Sequence, residues 1–241
     1  MVTIATVSDI HGQWKRPVYP PADVLIFAGD IFKNYDWDRD IDAEKQLVEL
    51  REFTSFLCSL PYNEIIVVAG NHDFVFERAT RAKAIEILDD HAITYLQDSE
   101  VIIKASDGKG SSRIGDGKYK VYGSPWQPFF CNWGFNFPSP ELNPMRAKEA
   151  AKACWAKIPK DVDILITHGP PEGILDECPD GRHVGCPQLR RKLDEISPKL
   201  HVFGHIHASA GKDKVFDTVF KNTAILGEDY FFMRDITVEE V

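Results

Sequence analysis

Short aliphatic and β-branched runs recur along the chain at Thr3–Val7, Val24–Ala28, Ile65–Ala69, Val101–Lys104, Lys120–Tyr122, Ile164–Thr167 and Leu200–Phe203. Each reads as a strand. Several are apolar without alternation, the pattern of strands covered on both faces. Between them the period changes to that of a helix. From about Asp42 to Leu60, the residues Leu47, Leu50, Phe53 (or Thr54) and Leu57 fall on one stripe, with Pro61 as the stop. Asn143-Pro144 opens another helix, Asn as N-cap and Pro in the first turn, running to about Ile158. Ala79–Leu88 and Pro187–Ile196 have the same character, and Val215–Phe220, Thr223–Leu226 and Met233–Val238 read as closing strands. Strand and helix alternate over the full length, which predicts one α/β domain spanning residues 1–241.

Two segments break the pattern. Ser106–Gly117 is rich in Gly, Ser and Lys and reads as a hairpin tip. Gly123–Pro140 places Trp126, Phe129, Phe130, Trp133, Phe135 and Phe137 among prolines, which is too much apolar surface for an ordinary exposed loop. It either folds back onto the core or forms a wall beside a ligand, where aromatic faces stack on a nucleobase. Different residues of the segment can do each.

Composition narrows the classes. With 241 residues and 44% hydrophobic positions the chain can bury a sizeable core, which excludes disorder as the dominant state. A net charge of −9 argues against polymeric nucleic acid as a partner. No apolar run approaches the ~20 residues that span a bilayer, so no membrane is expected. Cys58, Cys131, Cys154, Cys178 and Cys186 are odd in number and widely spaced, and Met1–Ser8 lacks the start of a secretory signal. Free thiols in a soluble, cytoplasmic protein are the expectation.

The candidate chemistry lies just after the predicted strands: Asp9-Ile10-His11, Gly29-Asp30, Gly70-Asn71-His72-Asp73, Thr167-His168-Gly169 and Gly204-His205-Ile206-His207. In open α/β sheets the carboxyl ends of strands share one edge, where ligands bind. Imidazole, carboxylate and amide oxygen together suit borderline divalent ions and suit Ca²⁺ poorly. Seven plausible ligands exceed one tetrahedral site but fit two metals sharing a carboxylate. Such a pair activates water for attack on phosphorus and stabilises the leaving oxygen. Two divalent cations, two aspartates and one hydroxide leave roughly +1, so an acidic protein can still attract phosphate.

These motifs, in this order, resemble those of the calcineurin-like metallophosphoesterases: DxH, GD, GNH[DE], H and GHxH, covering residues 9 to 207. The resemblance implies a four-layer α/β/β/α sandwich of two mixed β-sheets flanked by helices. It implies that Asp9, His11 and His207 hold one metal, that Asn71, His168 and His205 hold the other, and that Asp30 bridges them. His72 is then the group that protonates the leaving oxygen, with Asp73 orienting its imidazole. The implied cofactor is a pair of divalent ions, Mn²⁺ first, with Zn²⁺, Fe or Mg²⁺ as alternatives.

GSPWQPFFCNWGFNFP, THGPPEGILD, HVGC and KLHVFGHIH further resemble the metallophosphoesterase-domain-containing branch, which is similar to cyclic-nucleotide phosphodiesterases. Some members lack the first histidine of GHxH, whereas His205 is retained here. The stretch AILGEDYF after Thr223 departs from that branch near the expected pocket edge. The other histidines read as ordinary: His91 at a helix end, His201 within a strand, and His183 with Arg182 in a loop that is either solvated or at the pocket rim. Asp36–Glu44 reads as a helix N-terminus, with Asn34 or Tyr35 as alternatives bordering the pocket.

The leading expectation is a phosphodiesterase for small phosphodiesters or nucleotides, in which water activated at the metals attacks in line and His72 acts as general acid. Two alternatives are a phosphomonoesterase of the protein-phosphatase kind and a metal-binding scaffold with little activity. The first is disfavoured because Ile31-Phe32-Lys33 and Val68-Ala69 supply no phosphate-clamping arginine beside the GD and GNH motifs. The second is disfavoured because no ligand position is lost.

Overall fold

The structure is a computed structural model that describes the chain apart from residues 34, 36, 37 and 105–116. The hairpin tip expected at Ser106–Gly117 therefore lies, Gly117 excepted, outside the described residues, as do Asn34 and the start of the acidic run.

Eleven strands and four α-helices are described. In chain order they are β1 (Thr3–Val7), β2 (Val24–Ala28), α1 (Arg39–Cys58), β3 (Glu64–Val68), α2 (Arg81–Asp90), β4 (Thr94–Tyr95), β5 (Ser99–Lys104), β6 (Lys118–Ser124), α3 (Pro144–Trp155), β7 (Ile164–Thr167), α4 (Pro187–Glu195), β8 (Leu200–Phe203), β9 (Gly211–Val215), β10 (Thr218–Asn222) and β11 (Thr237–Glu240). One sheet runs β11-β1-β2-β3-β4 and the other β5-β6-β7-β8-β10-β9. Both are mixed: β1, β2, β3 and β4 are parallel with β11 antiparallel, and β6, β7, β8 and β10 are parallel with antiparallel edges β5 and β9.

Three apolar clusters explain the layers. Ile4, Val24, Ile26, Ile66 and Val68 of the first sheet meet Val121, Ile164, Ile166, Leu200 and Val202 of the second. Their alternating neighbours point outward. Ala5, Leu25, Phe27 and Val67 pack under Leu47, Leu50, Phe53 and Leu57 of α1 and Ala84, Ile87 and Leu88 of α2. Tyr122, Leu165, Phe203 and Phe220 pack under Ala151, Cys154 and Trp155 of α3 and Leu189 and Leu193 of α4. Each central strand is thus buried on both faces, which is why its sequence lacks alternation. The architecture is a four-layer α/β/β/α sandwich.

Local signals place the helices. Asp38 caps α1 by accepting from the N–H groups of Asp40 and Ile41, and Asn143 caps α3 by accepting from Arg146 N at 2.9 Å, with Pro144 in its first turn. The closing segment differs from expectation. Val215–Phe220 is a hairpin joining β9 to β10, with Phe216 at φ 53° in the turn. Thr223–Leu226 makes only isolated bridges to Ser8 and Phe232, and the last strand begins at Thr237 rather than Met233. Apolar runs do not reveal a turn that an ordinary residue occupies at positive φ. Among the described residues no helix is long and apolar enough to cross a membrane, and all five cysteines are free.

Candidate metal centre

The loops that leave β1, β2 and β3 in one sheet, and β7 and β8 in the other, open at the same end of the sandwich. The connection between them is short. Gly204 of the β8 loop sits so close to Ser8 and Asp9 that any side chain there would overlap Asp9 Oδ2, and His205 N donates to Asp9 Oδ2 at 2.9 Å. Gly29, at φ 97°, brings the β2 loop against the His168 ring in the same way.

Four of the candidate ligands hold left-handed backbone conformations: Asp9 (φ 52°), His11 (φ 41°), Asp30 (φ 52°) and His205 (φ 70°). Such conformations are rare for residues with a side chain and cluster at functional sites. Here they turn successive side chains inward from short loops.

The ligand-bearing atoms fall into three overlapping groups, each within 4.8 Å: Asp9, His11 and His207; His11, Asp30 and His72; and Asp30, His168 and His205. His11 and Asp30 belong to two groups each. Asn71 joins the last, its Oδ1 lying 2.8 Å from His168 Nε2. All seven expected ligands and His72 therefore meet, although they come from opposite ends of the chain.

The donor set suits cations. His168 Nδ1 faces the Ala28 carbonyl at 2.9 Å, and His207 Nδ1 faces the Gly227 carbonyl at 2.9 Å. Each Nδ1–H donates there, which leaves each Nε2 as a lone pair turned inward. His168 Nε2 then confronts Asn71 Oδ1 and, at 3.5 Å, Asp30 Oδ2. His207 Nε2 confronts Asp9 Oδ1 at 3.2 Å. Lone pairs facing lone pairs require positive charge between them. Without metal, protons serve. Burial would depress His168 and His207, but Asp30 and Asp9 respectively overcome it and drive both imidazoles up to about 9. Burial raises Asp9 as well, yet His207 brings it down to about 2, and His168 does the same for Asp30, which lies well below the carboxylate range. For His11 and His205 burial outweighs the attraction of Asp30 and Asp9 and takes them down to about 4 and about 3. Both ring nitrogens of His11 and Nδ1 of His72 are buried without a hydrogen-bond partner among the described residues. These residues fit a pair of divalent cations.

One assignment needs correction. Asp73 does not orient the His72 imidazole. Its Oδ1 accepts from Ile31 N and Phe32 N, both at 2.9 Å, and its Oδ2 accepts from Gly70 N at 2.7 Å. The carboxylate ties the β2 loop to the β3 loop instead. Burial, with Asp30 nearby, still raises it to about 7 despite those donors.

The site opens into a cleft of about 340 Å³. Phe129, Phe130 and Trp133 line it, with the Trp133 ring 4.5 Å from that of His72. Phe135 and Phe137 are buried in the core, and Trp126 packs against both. The aromatic segment is thus divided between cleft lining and core, and Gly134 N pins it to Asn71 O at 2.9 Å. Arg182 reaches the lining while bonded to Asp180, whereas His183 turns away to the buried Asp176 at 2.7 Å. Glu228 and Tyr230, from the stretch that departs from the branch, also line the cleft. Tyr35 borders a neighbouring groove that shares His11. His91 accepts the helix-end role, its Nδ1 2.7 Å from Ile87 O, and His201 pairs with Thr167 in the core.

Sequence reading missed three bracing residues. Gln46, buried on α1, spans the His72 loop. Asn222 donates to Ile206 O at 2.9 Å and so steadies the GHxH loop. Tyr230 packs on His11. Only Gln46 carried a signal, as a polar residue one turn before Leu50 on the apolar stripe.

Residues 2–209 match the family described as calcineurin-like phosphoesterase. The chain is 35% identical to metallophosphoesterase domain-containing protein 1 of Homo sapiens, over 93% of this chain and 66% of that protein. It is 32% identical to UPF0046 protein K07C11.7 of Caenorhabditis elegans, over 92% of this chain and 69% of that one. The chain thus spans just under two thirds of the human relative's length. Its fold is similar to that of TT1561 of Thermus thermophilus, with a TM-score of 0.55 and 13% identity, covering 92% of this chain and 88% of that one.

Proposed function

The chain belongs to the calcineurin-like phosphoesterase family, and from that premise we propose that it is a binuclear metal-dependent phosphodiesterase acting on small phosphodiesters, cyclic nucleotides among them. The observation that carries this reading is the sharing of Asp30 between two ligand groups, with His11 on one side and His168 and His205 on the other. A carboxylate so placed would be shared by two ions. Asp9, His11 and His207 would hold one divalent ion, and Asn71, His168 and His205 the other, with Mn²⁺ the first choice and Zn²⁺, Fe or Mg²⁺ as alternatives. When bound, such ions supply Lewis-acid activation of water and neutralise charge on the phosphoryl oxygens.

The chain's own residues do the rest. His72 lines the cleft beside Asn71 and Asp30, where it touches a bound phosphoester and gives a proton to the departing oxygen. Burial lowers its proton affinity, opposed by Asp30, and an anionic ester would raise it again. Trp133, Phe129 and Phe130 form an apolar wall for the alcohol substituent of a diester, which a bare phosphate monoester does not need. The bonds from Nδ1 of His168 and His207 to backbone carbonyls orient both rings so that Nε2 is the nitrogen offered to an ion.

The test is a hydrolysis screen over bis(p-nitrophenyl) phosphate, 2′,3′- and 3′,5′-cyclic nucleotides and simple monoesters, with chelated protein and protein resupplied with Mn²⁺. Chelated protein should be inactive and recover, with diesters preferred. Full activity after chelation, or a preference for monoesters, would overturn the reading.

A further inference from the structure

His11 is unlike the other histidines of the centre. A metal-ligating imidazole nearly always donates its second ring nitrogen to a carbonyl or carboxylate, which sets its orientation. His168 has Ala28 O and His207 has Gly227 O. His11 has neither: both its nitrogens are buried and without a hydrogen-bond partner among the described residues. Asp30 Oδ2 lies 3.8 Å from His11 Nε2, beyond hydrogen-bond range, and the other close neighbours of His11 are rings. Tyr230 meets it edge-on at 4.7 Å between centroids and 75° between planes, and His72 lies at 4.8 Å and 88°. Tyr230 also reaches His207, at 5.6 Å and 71°.

Tyr230 is held for this contact. Its backbone sits at φ 61°, an outlier for a bulky side chain. Its N–H donates to Gly227 O at 2.9 Å, the same carbonyl that receives His207, and its own carbonyl accepts from Gln13 Nε2 at 3.1 Å. The turn from Gly227 to Tyr230 therefore fixes two ligands of one group, His207 by a hydrogen bond and His11 by a ring. Edge-to-face packing is directional, because the positive edge of one ring seeks the negative face of the other.

We propose that Tyr230 is the positioning residue for His11, its ring taking the place of the missing orienting hydrogen bond and so setting the affinity of the centre formed by Asp9, His11 and His207. The proposal rests on the two-metal reading above. Its readout is Mn²⁺ binding by calorimetry, not turnover.

In the wild-type chain two binding events are expected, and His11→Ala identifies the one that involves His11. Tyr230→Ala should weaken that event about 10-fold, the low end of the effect of outer orienting groups, and leave the other unchanged. Tyr230→Phe, which keeps the ring, should restore it. Wild-type affinity in Tyr230→Ala, or equal weakening in Tyr230→Phe, would overturn the proposal. Tyr230 is 45% exposed, so the alanine variant should fold, and Tyr230→Leu repeats the test with the volume largely kept. A second readout needs no metal. In chelated protein the NOEs from the His11 ring to the rings of His72 and His207, assigned by their loss in His11→Ala, should weaken or redistribute in Tyr230→Ala and persist in Tyr230→Phe. If the wild type takes up no Mn²⁺ the functional reading fails by itself, and unchanged His11 NOEs in Tyr230→Ala overturn the positioning role separately.

Discussion

Gln46 Nε2 donates to the carbonyl of His72 at 2.7 Å, while its Oε1 accepts from Val75 N at 3.1 Å. One fully buried amide from α1 thereby spans the turn that carries Asn71, His72 and Asp73. Replacing it with leucine strands a carbonyl and an N–H in the interior, at about 1–3 kcal/mol for each group. Gln46→Leu should therefore lower the melting temperature by roughly 4–8 °C, taking a net loss near 2 kcal/mol, and should reduce turnover. Calorimetry with parallel assays checks this. An unchanged melting temperature would show that the bonds are dispensable.

Stability of the metal-free chain should depend on pH in a defined direction. His168 and His207 are raised from about 6.5 to about 9 by their carboxylate partners, burial opposing. A raised imidazole contributes stability that is complete below the unfolded value and lost as pH climbs through the folded one. Chelated protein should thus melt at lower temperature at pH 9.5 than at pH 7, and Mn²⁺ should flatten the difference because cations replace the protons. A melting temperature that rises over this window would contradict the charge assignment.

His72→Ala should leave Mn²⁺ content unchanged but slow the hydrolysis of diesters with poor leaving groups by about 10²–10⁴-fold, the usual contribution of a positioned acid. Esters of p-nitrophenol, whose leaving group needs no proton, should suffer least. Equal losses across the series would remove His72 from the acid role. Loss of metal would make it a ligand, which its place within 4.8 Å of His11 and Asp30 permits.

Trp133 sets the substituent side of the cleft. Trp133→Leu should raise KM about 5-fold for nucleotide and aryl diesters, equivalent to roughly 1 kcal/mol of ring contact, while bis-alkyl diesters change little. Steady-state kinetics on matched pairs decides it, and equal shifts for both classes would mean that the ring merely braces His72.

Much of this was legible in the chain. Strands β1, β2, β7 and β8 begin and end where their apolar runs do, and the stripe of α1 buries the leucines and phenylalanine expected of it. The five polar motifs could be read because each follows a strand in a fixed order. What could not be read depends on contacts made across the fold. Asp73 looked like a partner for its neighbour His72, but adjacent residues in a turn point apart, and three backbone N–H groups from two loops claim the carboxylate. Tyr230 lies in a stretch without periodicity, and only closure of the Gly227 turn brings it to His11. The division of the aromatic segment, Phe135 inward and Trp133 outward, is likewise set by the anchor from Gly134 to Asn71.

The positive φ angles of Asp9, His11, Asp30 and His205 carry an implication for how such a chain can change. Each left-handed residue costs about 1–2 kcal/mol relative to glycine, which adopts the conformation freely. At Asp9 and Asp30 glycine would relieve that strain but also remove the carboxylate facing His207 or His168, so in the metal-free chain the two effects oppose one another. The strain is thus a cost carried at the site itself, and glycine can relieve it only by giving up the ligand.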